Sequence, residues 1–280
     1  MSNLNEALDF LRSASNLELE VREYILRWFH KSQRELHTRP AIRRSRNSDP
    51  RVWTYWDNSD FGDPEIISLC AKSQTSAFGS RLKVLSPKDL PEFVQHRSVL
   101  EAQDRYEISK THFSDLLRLS LLESHGGLWL DASVYITRTP DIGLFDSGLF
   151  FFLRPNDPFR LSVWCMYSRP QNYLIRLWLK ALMKFWRDHE ELIHYFQMHF
   201  VFEAMVLLDP QAMQHAMSFP AYSAIRPHLV QSHLRNCSET HLVPLLTMLE
   251  SSWIHKLSYK DVPPKATRLI AALSPHLGAS

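Results

Sequence analysis

The sequence predicts an α/β fold with helical additions at both ends, and three observations support this prediction. Residues 51–85 have the pattern of a strand, a helix and a second strand. An apolar helix over residues 112–124 is followed by paired glycines and two short extended segments. The C-terminal half has mostly helical periodicity. Because a strand–helix–strand unit forms a parallel crossover, we expect a sheet that binds ligands at the carboxyl ends of its strands.

The composition is that of a globular protein with a large core. The chain has 280 residues, of which 45% are apolar and 12% aromatic, and this excludes disorder over most of its length. Its 32 basic and 30 acidic residues give a formal net charge of +2, so nothing indicates a nucleic-acid partner. No apolar run reaches the roughly 18 residues of a membrane-spanning helix, and the first residues lack a signal-peptide pattern. We therefore expect a cytoplasmic protein.

The sequence lacks the patterns that are typical of several classes of functional site. The three cysteines, Cys70, Cys165 and Cys237, are scattered without a CxxC pair, so neither a disulfide framework nor a zinc knuckle is indicated. The chain has no HExxH, GxSxG or P-loop sequence, and this argues against zinc proteases, α/β hydrolases and P-loop kinases.

The N-terminal 50 residues form a helical, basic segment. Apolar spacing predicts helix over residues 4–38, and Pro40 ends this region. Between Arg27 and Arg46 the chain has seven Arg or Lys and a single Glu. This run is either a solvated helix face or a surface for anionic lipid headgroups at the inner membrane. We assign residues 51–265 to the α/β domain and residues 266–280 to a C-terminal tail.

The α/β domain begins with the aromatic, β-branched run of residues 51–56, which predicts the first strand. Pro64 is expected to open a helix that extends to about Ser73. Residues 82–85 form a second short strand. The next helix, over residues 112–124, has Thr111 as its predicted N-cap and ends at a glycine pair, residues 126 and 127. Two further helices are predicted over residues 173–185 and 190–208, and four prolines predict shorter elements between residues 209 and 250.

Three charged residues could carry chemistry. Asp115 and Arg118 share one face of an apolar helix, so they form either an internal ion pair or part of a site. Asp131 follows the buried strand after the glycine pair, at a position where α/β sheets bind ligands. Its carboxylate is suited to bind a Mg²⁺ or Mn²⁺ ion that bridges a diphosphate. In the alternative interpretation, Asp131 is a structural residue of a turn, and its side chain caps a backbone N–H.

The stretch from His112 to Ser133 resembles the capsular-polysaccharide-synthesis glycosyltransferases. These enzymes are relatives of the DXD-type sugar transferases and of the large clostridial glucosylating toxins. The shared pattern is SDxxR on a helix, then GG-x-W-x-DAS, and it is supported by the segments Trp253–Lys260 and Tyr195–His199. The resemblance extends from about Val52 to Lys260. It implies a GT-A-like fold, in which a Rossmann-type mixed sheet flanked by helices binds a nucleotide sugar and a divalent metal.

The resemblance gives roles to four aromatic residues of the first and third strands. Trp56 matches the aromatic side chain that stacks on the nucleotide base. Trp53 or Tyr55 are alternatives, and strand alternation separates them from Trp56. Trp129 matches an aromatic side chain that packs near the ribose.

Charged residues receive the remaining roles. Asp115 and Arg118 match the pair that holds the donor sugar and the nucleotide, and Asp131 is the first acid of the DXD-like motif. Lys256 and Lys260 match cations that face the diphosphate.

The metal site departs from a DXD motif at Ser133, where such a motif has its second aspartate. The resemblance implies Mn²⁺ or Mg²⁺ held by Asp131, Ser133 and a late ligand, His255. Three arrangements remain open. Asp131 and His255 bind the metal together with waters, or the metal binds weakly and only with the nucleotide. In the third arrangement no metal is needed, because lysines and Arg118 neutralise the diphosphate.

The implied activity is transfer of a sugar from a nucleotide diphosphate, expected to be a UDP-sugar, to a polysaccharide or lipid-linked glycan. The resemblance favours retention of configuration. Two alternatives remain: a non-catalytic module of the same fold that binds a nucleotide sugar or a glycan, and a structural scaffold.

Overall fold

The computed structural model describes residues 3–14, 18–37, 50–57, 64–154, 157–236, 242–260 and 264–273. This part of the chain contains eight strands and twelve α-helices. The strands are β1 (Val52–Tyr55), β2 (Leu82–Leu85), β3 (Gly127–Leu130), β4 (Val134–Ile136), β5 (Leu149–Arg154), β6 (Asp157–Ser168), β7 (Ala221–Ser223) and β8 (Ile254–Lys256). The helices are α1 (Leu4–Ala14), α2 (Leu19–Leu36), α3 (Glu65–Phe78), α4 (Leu90–Phe93), α5 (Arg97–Tyr106), α6 (Lys110–His125), α7 (Tyr173–His189), α8 (Gln197–Leu208), α9 (Pro210–Ala216), α10 (Ile225–Asn236), α11 (Leu242–Glu250) and α12 (Pro264–Leu273).

The main sheet has six strands in the order β2-β1-β3-β6-β5-β7. β1 is parallel to both β2 and β3, whereas β6 is antiparallel to β3 and β5. β1 and β3 are buried on both faces, as expected for strands covered by helices on each side. The predicted α/β class, with a Rossmann-type mixed sheet flanked by helices, is therefore confirmed.

A second, two-stranded sheet pairs β4 with β8 in antiparallel orientation. In this register Val134 lies opposite Lys256, and Tyr135 lies opposite His255. The backbone N–H of Leu257 extends the pairing by donating to the carbonyl of Ser133 at 2.9 Å. The pairing brings the C-terminal segment to the turn that follows β3.

The glycine pair allows the close approach of β3 to the rest of the molecule. Gly126 has φ +65° and Gly127 has φ +101°. A Cβ atom on Gly127 would lie 2.2 Å from the carbonyl oxygen of Arg51. Only glycine fits there, since the backbone is left-handed and the space is already occupied.

The N-terminal helices share the main hydrophobic core. Leu8, Leu11, Leu26 and Phe29 are buried in the same cluster as the apolar faces of α6, α7 and α8. A buried ion pair also joins α2 to α8, where Arg22 Nε donates to a carboxylate oxygen of Glu203 at 2.8 Å. The described residues before position 50 are thus packed into the α/β body. The boundary predicted at residue 265 falls inside α12, whose Ile270 is fully buried.

Some predicted element boundaries are wrong. The N-cap of α6 is Ser109, whose hydroxyl accepts from the backbone N–H of His112, and Thr111 is the second residue of the helix. The helix predicted from Glu190 begins at Gln197. Glu190 has φ 58°, and the Gln197 side chain accepts from the backbone N–H of Ile193 before the helix starts.

Two further expectations concern the cysteines and membrane insertion. Cys70 and Cys165 are buried free thiols, and Cys237 lies outside the described residues. No helix within the described ranges has the length and apolar character needed to cross a membrane.

Candidate functional site

The candidate site lies at the carboxyl end of β3. Asp131 is the first residue after this strand, and its backbone N–H donates to the carbonyl of Trp164 on β6 at 2.9 Å. Its own carbonyl accepts from the backbone N–H of Val134 at 3.0 Å and from Gln74 Nε2 at 3.2 Å. Backbone bonds on both sides therefore hold Asp131 in a tight turn, and its side chain is 24% exposed.

The carboxylate of Asp131 has three side-chain partners. Trp129 Nε1 donates to Oδ1 at 3.0 Å, and Lys256 Nζ donates to Oδ2 at 3.2 Å. Arg118 Nη2 lies 3.5 Å from Oδ1. The alternative interpretation, a turn aspartate that caps a following backbone N–H, does not describe these contacts.

Arg118 connects Asp131 to Asp115. Its guanidinium is 4% exposed, and Nη2 lies 3.4 Å from Asp115 Oδ1. Nε donates to the Ser114 carbonyl at 3.0 Å, Nη1 to the Val163 carbonyl at 2.6 Å, and Nη2 to Ser114 Oγ at 3.1 Å. The guanidinium also lies over the Trp129 ring, 5.3 Å from its centroid. These bonds fix the planar fork in one orientation.

The two carboxylates have opposite electrostatic environments. Burial raises the pKa of Asp115 to about 7, with Asp131 adding to the rise and Arg118 opposing it. Burial also acts to raise the pKa of Asp131, but Lys256, Arg118 and the Trp129 hydrogen bond together outweigh it and lower that pKa. Asp131 is therefore ionised at neutral pH, whereas Asp115 is close to its titration midpoint.

Lys256 lies between Asp131 and Ser133. Its ammonium donates to Asp131 Oδ2 and to the Ser133 hydroxyl. The β4–β8 register produces this contact, because Lys256 lies opposite Val134, the neighbour of Ser133. The structure thus brings together five predicted residues from three parts of the chain: Asp115, Arg118, Asp131, Ser133 and Lys256.

Trp56 and Tyr259 form an aromatic pair beside this cluster. Trp56 is half-buried at the end of β1, and its ring centroid lies 5.5 Å from that of Tyr259, which is 44% exposed. Lys260 is exposed, with its amino group 5.8 Å from the Tyr259 ring centroid. Sequence reasoning missed Tyr259, although it directly precedes Lys260 in the C-terminal segment.

Three aromatic predictions need correction. Trp53 is fully buried, and its Nε1 donates to the Gly126 carbonyl at 2.9 Å, so it belongs to the core. Tyr55 is 7% exposed, packs edge-on against Phe113 and donates to Asp57. Neither ring is available to a nucleotide base. Trp129 is 1% exposed and orients Asp131, so no face of its ring remains for a ribose.

The structure does not place His255 beside Asp131, where the predicted metal site requires it. His255 is fully buried, and its Nε2 lies 2.9 Å from the Leu249 carbonyl and 3.1 Å from the Ser252 carbonyl. Burial lowers its pKa to about 4, although both carbonyl contacts oppose the shift. Successive strand residues face opposite ways, so the lysine at position 256 reaches Asp131 and the histidine does not.

The predicted metal ligands therefore do not fit a divalent cation. His255 is turned away, and both carboxylate oxygens of Asp131 have cationic or N–H partners. Within the described residues, no group of three His, Cys, Asp or Glu side chains is arranged to hold a metal ion.

Two further groups at the site were missed from the sequence. Ser114 binds Arg118 through both its carbonyl and its hydroxyl, and its i,i+4 spacing on the helix was a signal that could have found it. Lys110 at the start of α6 forms an ion pair with Asp57 beyond β1. That contact has no local signal, because it joins distant elements.

One of the three comparisons with known proteins supports the family resemblance. A comparison with solved structures finds the PaToxG Glycosyltransferase, at 13% sequence identity and a TM-score of 0.42, over 71% of this chain and 87% of that chain. The comparison with curated proteins finds no match. The family model described as "Capsular polysaccharide synthesis protein" matches residues 9–272, from α1 to α12. The resemblance inferred from the His112–Ser133 motif is thereby confirmed. This chain belongs to the capsular polysaccharide synthesis protein family.

Proposed function

We propose that this protein is a glycosyltransferase that moves a sugar from a nucleotide diphosphate, a UDP-sugar, to a polysaccharide or lipid-linked glycan. One observation carries the proposal. Arg118 and Lys256 converge on Asp131 at the carboxyl end of a buried parallel strand, where α/β sheets bind ligands. Membership of the capsular polysaccharide synthesis family supports the glycosyl-transfer class.

The chemistry requires charge stabilisation at two points. The bond between the anomeric carbon and the diphosphate oxygen breaks, and that oxygen keeps the electron pair. A bond from an acceptor hydroxyl to the anomeric carbon forms, and the hydroxyl proton passes to the departing diphosphate or to solvent. Negative charge grows on the departing diphosphate, and positive charge grows at the anomeric carbon. Lys256 is positioned to stabilise the diphosphate, and the Asp131 carboxylate lies near the opposite charge. Fixed groups of this kind need little reorganisation during the reaction.

Asp115 and Arg118 are suited to position Asp131 against the donor sugar, because both side chains are buried. The guanidinium already has its orientation set by the Ser114 and Val163 carbonyls. Asp115 shares Arg118 Nη2 with Asp131, so the acids lie on either side of one cation. Asp131, whose side chain is 24% exposed, can accept a hydrogen bond from a sugar hydroxyl.

The Trp56–Tyr259 pair is suited to the nucleotide base. A half-buried indole and an exposed phenol at an angle of 78° offer a stacking surface and an edge. Base–aromatic stacking typically contributes about 1–3 kcal/mol per base. The uracil base is therefore assigned to Trp56, with the diphosphate directed toward Lys256.

Asp131→Asn tests the proposed function. Purified protein is incubated with a panel of UDP-sugars, and released UDP is measured. We expect UDP release by the wild-type protein and a loss of at least about 100-fold in Asp131→Asn, by analogy with the removal of one transition-state partner. Asp104→Asn, an exposed carboxylate on α5, is the matched control and should keep full activity.

Other outcomes would contradict the proposal. Binding of UDP-sugars without turnover, even with glycan acceptors added, would favour the non-catalytic module. Absence of any nucleotide effect on the melting temperature would favour a scaffold. Equal UDP release by Asp131→Asn and wild type would remove Asp131 from the chemistry.

A further inference from the structure

The space between the Asp131 carboxylate and the Ser133 hydroxyl is occupied by a cationic side chain, that of Lys256. The ammonium of Lys256 donates to Asp131 Oδ2 and to Ser133 Oγ. These are the two positions where a metal-binding DXD motif has its acids. We propose that Lys256 replaces the divalent cation, so that nucleotide diphosphate binding needs no metal. This inference rests on the proposed function.

Lys256 is held in place by its strand. β8 pairs with β4 through three residue pairs, and the backbone N–H of Leu257 donates to the Ser133 carbonyl at 2.9 Å. The Lys256 side chain is 20% exposed, which is low for a lysine. Backbone pairing between β4 and β8 therefore fixes the position of the Lys256 ammonium, just as ligands would fix the position of a bound metal ion.

After its contacts with the described residues, the Lys256 ammonium has one N–H donor left for a phosphate oxygen. An ammonium has three N–H donors. Contacts with the described residues use two of them, on Asp131 and Ser133. The third can donate to a diphosphate oxygen while the other two keep the ammonium in position.

Serine at position 133 suits a lysine better than a metal. A divalent ion placed beside a single carboxylate would keep much of its charge uncompensated, and hard cations prefer several charged or carbonyl oxygens. A monovalent ammonium is matched by one carboxylate and a neutral hydroxyl. Ser133 is 7% exposed, so a second carboxylate there would require a further positive partner.

The other oxygen of Asp131 is also engaged. Oδ1 accepts from Trp129 Nε1 at 3.0 Å and lies 3.5 Å from Arg118 Nη2. A metal bound directly to Asp131 would have to displace Lys256 or disturb these contacts. It would also lack His255, which lies opposite Tyr135 in the strand pairing and directs its Nε2 to the Leu249 and Ser252 carbonyls.

Binding of UDP to the full-length protein tests the inference. The melting temperature and a calorimetric titration are measured with UDP, once in excess EDTA and once in excess MnCl₂. We expect the same UDP affinity and the same thermal shift in both conditions, because a bound ligand stabilises in proportion to its affinity. A UDP effect that occurs only with Mn²⁺ would overturn the inference and leave the proposed function intact. No UDP effect in either condition would overturn both.

A variant of Lys256 tests the role of the ammonium itself. Lys256→Met keeps the length of the side chain and removes its charge. We expect it to weaken UDP binding in EDTA by about 10- to 100-fold, the usual effect of losing a charge-assisted hydrogen bond. We also expect MnCl₂ to restore part of the affinity, since Asp131 and Ser133 are then open to a cation.

Lys184→Gln is the matched control. Lys184 lies on α7 and is also largely buried. It contacts two carboxylates, Glu35 on α2 at 3.0 Å and Asp188 on α7 at 2.8 Å. It should not alter UDP affinity in either condition. Unchanged UDP affinity in a folded Lys256→Met protein would overturn the inference. If that variant does not fold, the comparison of the wild-type UDP affinity in EDTA and in MnCl₂ still tests the inference.

Discussion

Arg118 holds together two carboxylates that ionise differently. Asp115 is 10% exposed at the side chain and has a single cationic neighbour, so burial dominates and raises its pKa to about 7. Asp131 lies between Arg118 and Lys256, and those two charges lower its pKa. The same residue type thus has two states within one cluster, because the number of neighbouring cations differs.

Asp115→Asn should stabilise the protein more at alkaline pH than at acid pH. The pKa of Asp115 is about 7 in the folded protein, against an ordinary value of 3.8. The native state therefore binds more protons than the unfolded state between about pH 4 and 7, and this contribution to stability is lost as pH rises through 7. Asparagine resembles the protonated acid and removes the dependence.

Thermal unfolding at pH 5 and pH 8 measures this effect. We expect a higher melting temperature for Asp115→Asn than for wild type at pH 8, and a smaller difference in the same direction at pH 5, because part of the wild-type stability is already lost between pH 4 and 5. Asp104→Asn, on the exposed face of α5, should leave the pH profile unchanged. A variant destabilised equally at both pH values would show that the folded Asp115 carboxyl is ionised throughout.

At the scale of elements, the site depends on how strands end and pair. α6 brings Asp115 and Arg118 to β3, and the positive-φ glycines allow β3 to begin directly after the helix. β8 then supplies Lys256 by pairing with β4. A change in either junction is expected to move the candidate site without touching any of its side chains.

Gly127→Ala tests the first junction. The new Cβ would lie 2.2 Å from the Arg51 carbonyl oxygen, at φ +101°, so β1 and β3 would have to separate. We expect a loss of about 3 kcal/mol or more in the free energy of unfolding, measured by urea denaturation. Gly79→Ala is the control, because Gly79 has φ +52° and nothing within 4 Å of the added atom. It should cost less, about 1–3 kcal/mol for the sparsely populated backbone conformation alone, and equal losses for the two variants would contradict the steric argument.

At the scale of the whole molecule, the N-terminal helices are part of the folded body and carry a basic surface. α2 buries Ile25, Leu26 and Phe29 against the main core. Its opposite face exposes Arg27, Lys31 and Arg34. The rest of the basic run, residues 38–46, lies outside the described residues. We propose that this basic face contacts an anionic membrane surface.

Vesicle sedimentation tests this peripheral contact. We expect the protein to sediment with phosphatidylglycerol vesicles at physiological salt and to be released by high salt. Replacing Arg27, Lys31 and Arg34 together by Gln should reduce binding about 100-fold, since each basic residue near an anionic surface contributes about 1 kcal/mol. The control replaces three exposed basic residues on another part of the surface, Lys88, Arg97 and Arg105. Equal losses for both triple variants would indicate a general charge effect and no docking face.

The sequence by itself determined the local features of this protein. Apolar periodicity predicts α6, the glycine pair predicts its end, and Asp131 follows as the first residue after β3. These signals are local, because helix periodicity and left-handed glycines depend on a few neighbouring residues. The α/β class and the positions of Asp115, Arg118 and Asp131 could therefore be predicted.

Only the tertiary structure decided what those residues contact. Lys256 and Asp131 are 125 residues apart, and the β4–β8 register brings them together. The same register directs the His255 side chain into the interior. If the pairing shifted by one residue, the side chains of His255 and Lys256 would exchange faces. Strand alternation and the helices covering β1 likewise bury Trp53 and leave Trp56 at the strand end. The choice between a metal and a lysine at position 131 thus depends on strand pairing, which no local sequence signal encodes.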